Sequence, residues 1–221
     1  MLDPKRIVAE GYDQIAERHA AWAAVVRAQE RARYTDLLLR ALAEGAAVLE
    51  LGCGAGGPTS RALASRFHLT GVDISARSIE LARADLPQAC FIHADMMKVE
   101  LPPSSFDAVA AFYSIIHVPR EEHAALFARV ASWLRPGGLF VAAIGACDTE
   151  SEYDPDWLGT PMYWSGYDEP TGCLLIEAAG FVIEQACVET ADEDGQWVPF
   201  LWIVARRGAA GDPSTHTGAA A

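Results

Sequence analysis

From residue 46 onward, short apolar runs alternate with amphipathic stretches, and no other feature constrains the fold as strongly. The runs cover 46–51, 69–73, 90–93, 106–112 and 139–144, with helical segments expected near 57–66, 76–86 and 120–134. Short apolar runs bounded by helical segments predict buried strands. Strand and helix in alternation imply right-handed crossovers, hence a parallel sheet covered on both faces. The end of the chain breaks this rhythm. A helix is expected over 168–179, stopped by Gly180, with strands near 181–190 and 198–206. The polar 191–198 segment between those strands is too short for a crossover, so a hairpin is required and the last strand runs antiparallel. Upstream, Tyr12, Ile15, His19, Trp22 and Val26 recur at spacings of three and four, predicting a helix over 6–28. A second helix is expected over 30–43, before Gly45.

A chain of 221 residues suits one domain, read here as 1–207, with a helical lid at 1–45 and an α/β core at 46–207. The 208–221 tail, mostly Gly, Ala, Ser and Thr, is expected to be disordered. Lys and Arg total 17 against 30 Asp and Glu, a formal net charge of −13. That balance disfavours nucleic acid and anionic membranes, whose binders neutralise phosphates with Lys and Arg. It suits a cationic ligand. No apolar run approaches the roughly 18–20 residues of a membrane span. The first residues lack the apolar core of a secretory signal, so a cytoplasmic location is expected. The cysteines at 53, 90, 147, 173 and 187 are odd in number and form no Cys-x-x-Cys pair. Neither a disulfide framework nor a metal site is expected from them.

Glu50-Leu51-Gly52-Cys53-Gly54-Ala55-Gly56-Gly57 follows a strand and opens a helix. Glycines there let the backbone turn tightly and approach a ligand, making Gly52, Cys53, Gly54 and Gly56 candidate cofactor contacts. Gly52, Gly54 and Gly57 also fit the spacing of dinucleotide-binding loops, a weak signal alone. Glu50 opposes that reading, because its carboxylate would repel a pyrophosphate at the helix N-terminus. It would instead attract a cationic group. Asp73, followed by Ile74, ends the second strand 21 positions after Gly52, where an acid accepts hydrogen bonds from ribose hydroxyls. Asp95 and Met96 follow the third strand and suit an adenine amino group and ring.

Glu50 to Gly56, Gly71-Val72-Asp73, Ala94-Asp95-Met96, Phe106-Asp107-Ala108-Val109 and Leu134-Arg135-Pro136-Gly137-Gly138 stand in register. Together they resemble the class I S-adenosylmethionine-dependent methyltransferase family. The resemblance implies a Rossmann-like α/β fold: a seven-stranded, mostly parallel sheet in the order 3-2-1-4-5-7-6, strand 7 antiparallel, with helices on both faces. It implies S-adenosylmethionine as cofactor, lying across the carboxyl ends of strands 1 to 4. Tyr12-Asp13-Gln14-Ile15-Ala16 resembles the family's lid helix, whose aromatic reaches the methionine end of the cofactor. The usual second aromatic is His19 here. Tyr113, at the end of strand 4, is a further candidate cofactor contact.

The sequence after strand 4, Phe112-Tyr113-Ser114-Ile115-Ile116-His117-Val118-Pro119, lacks the Asn/Asp-Pro-Pro-aromatic motif of family members that methylate bases or amides. This absence, like the net charge, counts against nucleic-acid and protein-amide acceptors; the expected acceptor is a small molecule, with an O or N nucleophile. His117 is the acid–base candidate, able to take a proton from a hydroxyl acceptor. The 146–170 segment is read as a substrate loop, in which Trp157, Tyr163 and Trp164 line a pocket for a compact, aromatic or partly apolar acceptor. Its acids, Asp148, Glu150, Glu152, Asp154 and Asp156, suit a solvated surface or an amine. Two other classes stay open: a protein of this fold that binds the cofactor without methyl transfer, as a cyclase or regulatory subunit, and a nicotinamide oxidoreductase. Glu50, Asp95 and the closing hairpin oppose the latter.

Overall fold

The computed structural model describes residues 3–208. Helix α1 (Pro4–Ala23) begins where Asp3 caps it, the carboxylate accepting the Lys5 N–H at 3.1 Å with Pro4 in the first turn. It ends earlier than the 6–28 periodicity predicts. The chain turns at 24–27, with Arg27 in the left-handed region (φ 54°), and α2 (Ala28–Ala41) follows.

The α/β part then runs β1 (Ala47–Leu51), α3 (Pro58–Ala64), β2 (His68–Asp73), α4 (Ala76–Asp85), β3 (Cys90–His93), β4 (Phe106–Phe112), α5 (His123–Trp133) and β5 (Leu134–Gly145). After an added hairpin, β6 (Thr149–Trp157) and β7 (Thr160–Gly166), come α6 (Glu169–Ala178), β8 (Phe181–Glu193) and β9 (Gln196–Arg207). The main sheet has seven strands in the order β3-β2-β1-β4-β5-β9-β8, with β9 antiparallel to both its neighbours. That is the topology expected, with two strand numbers displaced by the hairpin.

Alternation along the central strands divides the core between the two faces. Leu49, Val109, Phe140 and Ala142 pack with Leu126, Phe127 and Val130 of α5 and Ile176 of α6. Val48, Ala108, Ala110 and Val141 pack with Tyr34 and Leu38 of α2 and Leu63 of α3. Tyr34 also stacks on Trp202, ring centroids 3.8 Å apart. Helix α2, expected as part of the lid, thereby also contributes to the core.

Two readings need correction. The 146–170 segment is not a loop, because β6 and β7 form a separate two-stranded sheet turning at Leu158 and Gly159, both with positive φ. Its charges and prolines mask a period-2 pattern in the sequence. Such a hairpin is marginal alone, and this one packs against α1. A Cβ at Gly11 would lie 2.8 Å from the Pro161 carbonyl oxygen, so only glycine permits that approach. The 191–198 connection is also mostly strand: β8 and β9 pair out to Glu193 and Gln196. Asp194 and Gly195 (φ 53° and 88°) supply the two-residue turn whose twist matches the flanking strands. Of the tail expected to be disordered, residues 209–221 lie outside the described residues. Among the described residues, no helix is long and apolar enough to cross a membrane.

Candidate functional site

A cavity of about 750 Å³ opens at the carboxyl ends of β1, β2 and β4. Strand ends and the glycine loop form its floor. Its roof combines α1, the start of α2, the β6–β7 hairpin and the tip of β8–β9.

The loop after β1 owes its shape to positive φ at Gly52, Gly54 and Gly56. A Cβ on Gly52 would lie 2.2 Å from Ser114 Cβ, whereas one on Gly54 would meet nothing within 4 Å. Gly54 therefore presents bare backbone to the cavity. Gly56 does not line it; its Cα faces Ala82 of α4, where a Cβ would come within 3.2 Å. That glycine serves helix packing. Asp73 fixes the loop from β2: Oδ2 accepts the Gly54 N–H at 2.8 Å and Oδ1 the Ser75 N–H at 2.9 Å. Each oxygen retains a lone pair for a ligand hydroxyl.

Glu50 is buried, and Ser60 Oγ donates to it at 2.7 Å. Burial pushes its pKa up to about 7, the Asp73 charge adding to the shift and the Ser60 bond opposing it. A carboxyl in that state gains from a cation brought beside it. Asp95 lines the next stretch of wall, with Oδ1 accepting the Met97 N–H and Oδ2 lying 3.2 Å from Lys5 Nζ of α1. Ile74 and Met96 border the same region.

Above the floor, Tyr12, His19, Trp22, Trp157 and Trp164 form a chain of edge, tilted and stacked aromatic contacts, with centroids 4.8–6.0 Å apart. His117 lies at its base. Its Nδ1 faces the Tyr163 carbonyl at 2.8 Å and must carry the proton, so Nε2 accepts from the Tyr12 hydroxyl, also at 2.8 Å. Burial pushes the His117 pKa down to about 4. The imidazole is thus neutral at pH 7, with both nitrogens engaged. The hairpin tip is clasped to the lid: Arg27 donates to the Glu193 carboxylate and the Val198 carbonyl, and Trp22 Nε1 to Asp194 at 3.0 Å.

The cavity brings together Tyr12, Glu50, Gly52, Cys53, Gly54, Asp73, Ile74, Asp95, Met96, Tyr113, His117, Trp157 and Trp164. Gly56 and Tyr163 stand outside it. Tyr163 belongs to the buried cluster with Val8 and Ile15 and contributes only its carbonyl, because neighbouring strand residues face opposite ways. The sequence reading missed Arg27, Arg31, Trp197 and Phe200, which also line the wall. They lie in segments that only the fold brings to the strand ends. His19 and Trp22 were legible as part of the α1 stripe.

A buried carboxyl poised for a cation, an acid holding the glycine loop, and bare backbone at Gly54 fit a positively charged adenosine ligand such as S-adenosylmethionine. Residues 48–138 match the family described as "Methyltransferase domain". The 27-O-demethylrifamycin SV methyltransferase of Amycolatopsis mediterranei is 34% identical over 59% of this chain and 55% of its own length. The trans-aconitate 2-methyltransferase of Azoarcus sp. is 37% identical over 69% of this chain and 53% of its own length. The chain thus spans about half the length of these two curated relatives. The magnesium protoporphyrin IX methyltransferase of Synechocystis PCC 6803, solved with S-adenosylmethionine bound, superposes with a TM-score of 0.70 at 17% identity. That alignment covers 94% of this chain and 99% of the other. Sequence motifs, strand order and domain match agree: residues 48–138 match a methyltransferase domain, set in a chain with the fold of the class I S-adenosylmethionine-dependent methyltransferases.

Proposed function

We propose that this chain transfers a methyl group from S-adenosylmethionine to a compact, aromatic or partly apolar small molecule through an O or N nucleophile. The observation that carries the reading is Glu50, a buried cation-seeking carboxyl beside a glycine loop that leaves Gly54 open to the cavity. Glu50 would face the ammonium and sulfonium end of the cofactor, and Asp73 its ribose. Ile74, Asp95 and Met96 would border the adenine, with Tyr12 closing the methionine end. When bound, the cofactor supplies an electrophilic methyl on a sulfonium that leaves as a neutral thioether. The aromatic roof would exclude water and orient the acceptor, and positioning of that kind provides much of the rate in such transfers. The excess of acidic residues disfavours a nucleic-acid acceptor. A cytoplasmic location is part of the same reading, since the five cysteines are all free. The direct test is incubation with S-adenosylmethionine across a panel of phenols, amines, carboxylates and thiols, with S-adenosylhomocysteine as the readout. Binding of NAD in preference to S-adenosylmethionine would reject the assignment.

The Glu50 carboxyl must shed its proton before it can pair with a cation. Cofactor binding should therefore release a proton and weaken as pH falls through about 7, approaching tenfold per pH unit. Above that pH the affinity should be flat. Glu50→Gln should bind weakly with no such dependence, as calorimetry between about pH 5.5 and pH 8 would show. A wild-type affinity independent of pH would place the cation elsewhere.

His117 acts in this reading by holding the Tyr12 hydroxyl rather than by taking a proton from the acceptor. With its pKa at about 4, it contributes no inflection near neutrality. His117→Ala should lower transfer by about tenfold or less, the worth of one lost hydrogen bond, and keep the pH profile. A fall of about 10²–10⁴-fold with a changed profile would restore the general base.

A further inference from the structure

Carboxylates outnumber cations around the cavity, and two of its three cations are already neutralised. Lys5 pairs with Asp95 and Glu122, and Arg27 with Glu193. Arg31 differs. Its Nη1 donates to the carbonyls of Ala23 and Val26, which fixes the guanidinium in place. Among the described residues no carboxylate lies within ion-pair distance of Arg31, and nothing accepts from its Nε or Nη2. Burial accordingly pushes its pKa down, the mark of a cation that has lost water without gaining a close counter-charge.

Two further donors stand beside it. The Tyr113 hydroxyl and Arg27 Nη1 are buried close to one another, and neither makes a well-formed hydrogen bond. Glu30 lies 3.8 Å from that Nη1, beyond hydrogen-bond reach. Tyr113 is held with φ at 60°, a strained conformation for an aromatic residue, and its ring lies under both guanidinium groups at 4.9 and 5.6 Å. Strain that gathers unsatisfied donors around one space is expected where a ligand supplies the acceptors.

We propose that Arg31, Tyr113 and Arg27 form a carboxylate-binding cradle on the lid side of the cavity. The planar fork of Arg31 matches two carboxylate oxygens, and the Tyr113 hydroxyl adds a third donor. The proposal rests on the methyl-transfer reading and refines it. Two carboxylates have the required chemistry: the one on the amino-acid end of the cofactor, and one carried by the acceptor.

Calorimetry on the full chain and on Arg31→Gln and Arg31→Lys separates these sources, using S-adenosylhomocysteine and 5′-methylthioadenosine, which lacks the amino-acid end. If the cradle takes the cofactor carboxylate, Arg31→Gln weakens S-adenosylhomocysteine about ten- to hundredfold, leaves methylthioadenosine unchanged, and Arg31→Lys recovers part of the loss. If it takes an acceptor carboxylate, both nucleosides bind the variants as they bind the wild type. Benzoate then quenches the cavity tryptophans of wild type saturated with S-adenosylhomocysteine but not those of Arg31→Gln, and benzamide quenches neither. Equal weakening of both nucleosides, with a lowered Tm, would reduce Arg31 to a support for the 24–27 turn and overturn the cradle. Unchanged nucleoside binding with no preference for benzoate would overturn it too. A wild type that binds neither nucleoside refutes the methyl-transfer reading itself, whereas normal binding that ignores Arg31 refutes only the cradle.

Discussion

Gly54→Val is expected to abolish cofactor binding while leaving the sheet folded. At φ 54° a β-branched residue is strained by about 1–3 kcal/mol, so the loop either shifts or holds the side chain in the cavity. No protein atom lies within 4 Å of the added Cβ, so a packing clash cannot account for the loss. Circular dichroism should remain native and the unfolding midpoint should fall by only a few degrees, about what that strain removes from a domain of this size. Calorimetry with S-adenosylhomocysteine should show no binding. Undiminished affinity would mean that the loop does not meet the ligand, and the site assignment would have to be abandoned.

Asp73→Ala should weaken S-adenosylhomocysteine by about a hundredfold or more, because the carboxylate serves on two sides. Hydrogen bonds to charged groups are worth about 1.5–3 kcal/mol each, so loss of the ribose contacts alone accounts for roughly tenfold or more. The substitution also frees the Gly54 and Ser75 N–H groups that shape the loop. Asp73→Asn, which keeps one acceptor oxygen, should fall between wild type and alanine. Titration calorimetry on the three proteins gives the order directly. Wild-type affinity in a folded alanine variant would remove Asp73 from the ligand site.

The part of this structure legible in the sequence is the part where side-chain period and burial coincide. Val48, Leu49 and Leu51, or Val109 and Ala111, lie on strands covered on both faces, and such strands read as continuous apolar runs. The floor acids, Glu50 and Asp73, are legible for a related reason: they interrupt those runs at the carboxyl edge of the sheet. The roof obeys neither rule. Strand β6 carries Glu150, Glu152, Asp154 and Pro155, a composition that suits a solvated connection although its backbone is paired. The Asp194-Gly195 dipeptide marks the turn, but it sits inside a polar stretch whose composition does not show that the flanking residues pair. Strand parity explains Tyr163: a cluster of aromatics signals a pocket, yet only the register decides that Trp164 faces it and Tyr163 does not. The state of His117 was beyond sequence altogether. Its neutrality and its bond to Tyr12 arise from α1 and β7 closing over it, two elements separated by most of the chain.

The division between floor and roof bears on how such a protein changes over generations. Every roof segment is appended to the sheet: α1 and the start of α2 precede its first strand, β6–β7 is inserted before α6, and the β8–β9 tip projects past the paired centre. On the proposed function, substitutions at Trp157 or Trp197 would reshape the space assigned to an acceptor while the strand ends assigned to the donor's adenosine stay unchanged. If that function holds, acceptors could be exchanged by small steps, each leaving a folded parent that still holds the donor.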